Sequence, residues 1–75
     1  MFSENLRLLR EDKNLFQKDV AKVLGFSDIT ISHYERGYSE PNLDTLMVLA
    51  AFFEVTVGQL LGSEELFWLK HKKDT

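Results

Sequence analysis

Apolar residues along this chain recur at intervals of three and four, and β-branched residues never fall into a sustained alternation. That period belongs to helices with one face turned inward. The first helix is predicted to start at a Ser3 cap and end near Lys13. Leu6, Leu9 and Arg10 share one face of it, flanked by Phe2 or Leu8, and Asn14 supplies a left-handed residue after the last turn. A second helix is expected from about Gln17 to Leu24, with Val20, Ala21 and Leu24 inward and Gly25 closing it. The third begins after Ser27, a cap whose oxygen can reach the amide of Thr30. Its inward residues are Ile31 and Tyr34, and Gly37 ends it. The loop 38–41 holds the single proline, Pro41. Asn42 then caps a fourth helix, and Asp44 suits its positive end. Leu43, Leu46, Met47, Leu49, Ala50 and Phe53 give this helix a broad apolar face. The spacing Thr56-Val57-Gly58-Gln59 is a capping box opening a fifth helix, which stops at Gly62. Beyond it, Ser63, Glu64 and Glu65 lead through Leu66, Phe67, Trp68 and Leu69 into Lys70, His71, Lys72 and Lys73. Acids at the start and bases at the end suit a short sixth helix. The expected organisation is one domain over 1–62 and a helical tail over 63–75.

Residues 17–37 are the most informative stretch. Two short helices meet at a tight turn, Gly25-Phe26-Ser27, and the second opens with small and polar side chains. This is the layout of a helix-turn-helix, whose second helix can enter the major groove of DNA.

Composition narrows the picture further. At 75 residues the chain is near the lower limit for independent folding. It has no cysteine, so packed apolar side chains, 44% of the residues, must supply the stability. The longest apolar run, 46–53, is far too short to cross a membrane. The N-terminus lacks a signal-peptide core, so a cytoplasmic protein is expected, with no membrane partner. The net charge of −3 is unusual for a protein that meets DNA. The field at the DNA depends on where charges sit, so affinity must lean on a few placed cations and be sensitive to salt. No paired-acid pattern, phosphate loop or metal-ligand spacing is present, which argues against an enzyme and against any cofactor.

The order of these features resembles the Cro/repressor-type helix-turn-helix domains, the XRE family. The resemblance runs from Leu6 to Gly62. It is carried by LREDKNLFQKDVAKVLG, by FSDITISHYERG, by the loop to Pro41 and by LDTLMVLAAFFEVTVGQLLG. It implies an all-α, lambda-repressor-like bundle of five helices that binds duplex DNA in a sequence-specific way. Such proteins usually act as homodimers on two-fold symmetric sites. Most members are transcriptional repressors, and some are antitoxins that also hold a toxin. In the matched positions Ala21 lets the second and third helices cross closely, Gly25 makes the turn and Ile31 plugs the core. Phe16 departs from the pattern, which prefers Ser or Thr as the cap of the second helix. Losing such a cap costs about 1 kcal/mol.

The resemblance also assigns roles. Gln17 donates to a phosphate at the positive end of the second helix, where a solvated glutamine is the plainer reading. Lys18, with Lys13 and Lys22, adds diffuse charge or stays solvated. Ser27 accompanies the tip of the third helix. Asp28 either accepts from a cytosine amino group or complements the helix dipole. Ile29 meets a thymine methyl or packs locally. Thr30 and Ser32 reach a base edge or a phosphate, and His33 a base or a phosphate. Arg36, at the end of the helix, is a further DNA contact, and Tyr38 and Asn42 in the next loop are phosphate donors. Arg10 and Glu35 are a structural ion pair rather than DNA contacts. Leu66, Phe67 and Trp68 cover the core or form a dimer contact.

Overall fold

The computed structural model describes residues 1–66. Five helices follow one another through short connections: α1 Phe2–Asp12, α2 Gln17–Leu24, α3 Asp28–Arg36, α4 Leu43–Phe53 and α5 Val57–Leu61. Among the described residues there is no strand.

Each helix start has its own device. Asn42 Oδ1 accepts the Thr45 N–H at 2.9 Å and caps α4. At α5 the capping box is complete: Thr56 Oγ1 accepts the Gln59 N–H at 2.9 Å, and Gln59 Oε1 accepts the Thr56 N–H at 3.0 Å. Helix α2 has half of one. The Asp19 carboxylate accepts the Phe16 N–H at 2.7 Å, and a phenyl ring can return nothing. Ser27 does occupy the cap position of α3, but its Oγ pairs with the Thr30 hydroxyl at 3.3 Å and not with the amide. That amide goes to the Ser27 carbonyl at 3.1 Å. Helix α1 starts before Ser3, which lies inside the first turn with Met1 at the cap. The reason is Phe2, which packs against the core with its ring edge-on to Tyr34, centroids 6.0 Å apart. Burying an aromatic side chain is worth about 1.5–3 kcal/mol, more than a serine cap.

The helix ends turn on left-handed residues. Asn14 has φ 57°, as expected, and Glu54 does the same for α4 at φ 58°. Gly25 and Gly62 illustrate two different needs. A Cβ at Gly25 meets open space, so only its φ of 71° resists substitution. A Cβ at Gly62 sits at φ 91° and lies 2.8 Å from the Met1 nitrogen. Gly25→Ala is therefore expected to cost about 1–2 kcal/mol, the price of one left-handed residue. Gly62→Ala should cost more, and urea unfolding of the two variants compares them directly.

Leu6, Leu9, Val20, Ile31, Leu49 and Leu60 are fully or almost fully buried and form the centre of the core. Helix α3 packs on both α1 and α2, while α5 bridges α1 and α4. Ala21 is buried in the same cluster. One expectation needs correcting. The inward side of α4 is Thr45, Leu49, Ala50 and Phe53, with Leu46 partly covered. Leu43 and Met47 are exposed, and so is Val48. A helix turns one stripe inward, and an apolar pattern this broad overflows it.

After Gly62 the chain folds back over α5. Ser63 donates to the Gly58 carbonyl through its N–H at 2.9 Å and its Oγ at 3.1 Å. Thr56 Oγ1 donates to the Glu64 carboxylate at 2.6 Å, and Gln59 Nε2 to the Glu65 carbonyl at 3.2 Å. Leu66 ends this segment only 2% exposed, inside the core. It packs as a core residue of its own chain. Residues 63–66 are not helical, so the expected sixth helix does not open at Ser63; Phe67, Trp68 and the basic end lie outside the described residues. No helix among the described residues is long and apolar enough to cross a membrane.

Candidate nucleic-acid interface

The site is built on α2, the turn after Gly25, and α3. The Gly25 N–H donates to the Lys22 carbonyl and the Phe26 N–H to the Ala21 carbonyl, at 3.3 and 2.9 Å. These bonds close α2 and swing the chain to Ser27. Ile31 and Tyr34 then point into the core, which fixes the rotation of α3 about its axis. Asp28, Ile29, His33 and Arg36 are left in solvent, and Thr30 and Ser32 are half-covered at the edges. Ile29 is 63% exposed.

Beneath this face lies an ion pair that joins three elements. Arg10 Nε donates to Glu35 Oε2 at 2.7 Å and Arg10 Nη2 to Glu35 Oε1 at 3.0 Å. Arg10 Nη1 reaches the Leu15 carbonyl at 2.8 Å. The side chains are 13% and 4% exposed. The hydrogen bond to Glu35 raises the Arg10 pKa above its ordinary value against the opposing effect of burial. The Arg10 guanidinium thus stays protonated throughout the accessible pH range. Gln17 Nε2 also donates to Glu35 Oε1, at 3.2 Å. The first residue of α2 is thereby tied to α3, with one amide N–H still free to point outward.

An open cleft of about 470 Å³ separates the starts of α2 and α3, lined by Arg10, Phe16, Gln17, Lys18 and Asp28. A second groove beside it carries Lys18, Lys22, Phe26 and Asp28. Asp28 therefore stands between two grooves that both contain Lys18. Asn42 is exposed, and its Oδ1 is engaged by the α4 cap while its amino group is free. Among the described residues no cluster of three or more His, Cys, Asp or Glu is placed to hold a metal ion.

The helix-turn-helix family model matches residues 6–60. The chain belongs to that family. Within the helix-turn-helix family it is 43% identical over 68 residues to the transcriptional activator BcrR of Enterococcus faecalis, covering 91% of this chain and 33% of that protein. It is 37% identical over 65 residues to the cryptic phage CTXphi transcriptional repressor RstR of Vibrio cholerae, covering 87% of this chain and 59% of that one. The fold is also that of the P22 c2 repressor crystallised with a synthetic operator, with a TM-score of 0.79, 28% identity and coverage of 85% and 97%. The chain thus spans about a third to three-fifths of the length of these two curated relatives. The five-helix, repressor-type architecture expected from the sequence is the one observed.

Two side chains that position this helix-turn-helix domain escaped the sequence reading. Asn5 is buried in α1, and its amide donates to the Gln59 and Leu60 carbonyls at 3.1 and 3.4 Å. It thereby fastens the last turn of α5 to α1. Asp19 supplies the half-cap that Phe16 cannot. A polar residue in an apolar stripe was the available sign for Asn5, and the spacing of three from position 16 was the sign for Asp19.

Proposed function

We propose that this chain reads a sequence in double-stranded DNA and regulates transcription from it, as a homodimer and without a catalytic role, in the cytoplasm. The observation that carries the reading is the rotation of α3. Its core residues face inward and leave Asp28, Ile29, His33 and Arg36 presented together on the second helix of a helix-turn-helix. Relatives that are transcriptional regulators, and a structural neighbour crystallised with its operator, support it. Gln17, Lys18, Arg36 and Asn42 hold the phosphate backbone and fix the register, with Tyr38 beside Arg36; Asp28, Ile29, Thr30, Ser32 and His33 read base edges. One of the quoted relatives is an activator and another a repressor, so the direction of regulation is open between them.

Selection of bound fragments from random duplexes at fixed salt tests the reading. A two-fold sequence with half-sites about 34 Å apart is expected for a homodimer. Recovery of no preferred sequence rejects it. Ile29 can be tested within the selected site. Replacing the critical thymine by deoxyuridine removes one methyl group, and wild type should lose affinity while Ile29→Ala shows no further loss. Equal losses in both proteins would remove Ile29 from the thymine contact.

A further inference from the structure

Six of the nine Lys and Arg residues fall among the described residues, and Arg10 is bound up inside the fold. Of the five that remain, Lys18 and Arg36 lie against aromatic rings. Lys18 Nζ sits 5.5 Å from the centroid of the Phe16 ring. The guanidinium carbon of Arg36 sits 5.9 Å from that of Tyr38. The His33 ring packs on the same Tyr38 ring at 5.8 Å, tilted by 50°. Phe16 and Tyr38 are 68% and 69% exposed and belong to no core cluster. One pair stands at the entrance to α2 and the other just past the end of α3, so they bracket the helix-turn-helix.

The plainer account of Arg36 is that it complements the negative end of α3. That end is already served by the backbone. The Gly37 N–H donates to the Tyr34 carbonyl at 3.2 Å, and the Tyr38 N–H to the His33 carbonyl at 2.9 Å. Among the described residues no carboxylate lies within ion-pair distance of Arg36 or Lys18. The rings are what these cations touch.

We propose that Phe16 and Tyr38 are positioning residues: each holds a cation against its face, so that Lys18 and Arg36 offer pre-set positive charge to two separate phosphates of a duplex backbone. The proposal rests on the DNA-binding reading above. The face of an aromatic ring is negative, so it attracts a cation and repels an anion. The ring is therefore a support and the cation is the ligand. A long cationic side chain loses rotamer freedom when it grips a phosphate, and one already laid on a ring has less to lose. In a chain of net charge −3, few cations are available and their preorganisation matters more.

Affinity for the selected duplex, measured across a series of salt concentrations, tests this with paired substitutions. Lys18→Ala and Arg36→Ala should each flatten the slope of log affinity against log salt by about 0.9, one phosphate apiece. Tyr38→Leu and Phe16→Leu, which keep bulk but lose the ring, should each weaken binding about two- to fivefold, the range of an exposed cation–π contact. Tyr38→Phe and Phe16→Trp should restore it. Arg36→Ala should cost less in the Tyr38→Leu background than in wild type. Full affinity in both leucine variants overturns the proposal. So does equal loss in Tyr38→Phe and Tyr38→Leu, which makes the hydroxyl a direct phosphate donor, or an Arg36→Ala effect that ignores Tyr38. In the free protein, ring-current shifts of the Arg36 δ protons should vanish in Tyr38→Leu and persist in Tyr38→Phe. A wild type that selects no duplex overturns the DNA reading, and the phosphate role with it, while the proton shifts still decide the ring-held geometry.

Discussion

Replacing Arg10 with alanine is expected to cost about 3–5 kcal/mol of folding stability, the usual loss when one partner of a buried pair is removed. Glu35 loses both guanidinium bonds, and its side chain is 4% exposed. The Leu15 carbonyl loses its donor as well. A domain of this size has roughly 4–11 kcal/mol in total. The variant should therefore be close to unfolded at 37 °C, with a Tm lowered by more than about 12 °C. Urea unfolding with an unchanged m-value measures the loss. Retained Tm together with lost DNA affinity would transfer Arg10 from the scaffold to the interface. Leucine or methionine at both 10 and 35 is a useful companion, because replacing a whole buried pair by apolar groups is often neutral.

The second large effect is on binding. A Gln17/Thr30/His33 triple alanine variant should fold and bind its selected duplex roughly a hundredfold more weakly. Three lost polar contacts at about 1 kcal/mol each give that factor. None of the three side chains is buried, so circular dichroism and thermal melting should show a folded domain. Gln17 alone carries a structural bond, to Glu35, and its loss is expected to lower the Tm by a few degrees. Undiminished affinity at matched salt places the reading surface elsewhere.

Much of this was legible in the chain. The five helices, their order and the turn at Gly25 follow from apolar spacing and from residues that cap or break helices. So did the ion pair, once the motif order set residues 10 and 35 on facing helices. The failures have physical causes. Ser3 is a good cap by type, but the packing of Phe2 outweighs it. Ser27 has a neighbouring hydroxyl to bond, which composition cannot rank against an amide. The apolar face of α4 is wider than the core it meets, and no periodicity says which edge overflows. The Gln17 bond to Glu35 joins residues 18 positions apart and exists only after α2 and α3 cross. The ring-held cations were present as neighbours two apart, yet their contact depends on side-chain rotamers that a string of letters does not specify.

Phe16 has a consequence for anyone who breeds this domain for robustness. Asp19 already provides one half of a capping box, and threonine at 16 supplies the other, for about 1 kcal/mol. A screen that rewards heat resistance alone will therefore drive position 16 away from phenylalanine. Its winners will be sturdier proteins whose Lys18 has lost its support, and they will read DNA less well. The cap of α2 and the support of Lys18 thus make competing demands on a single side chain.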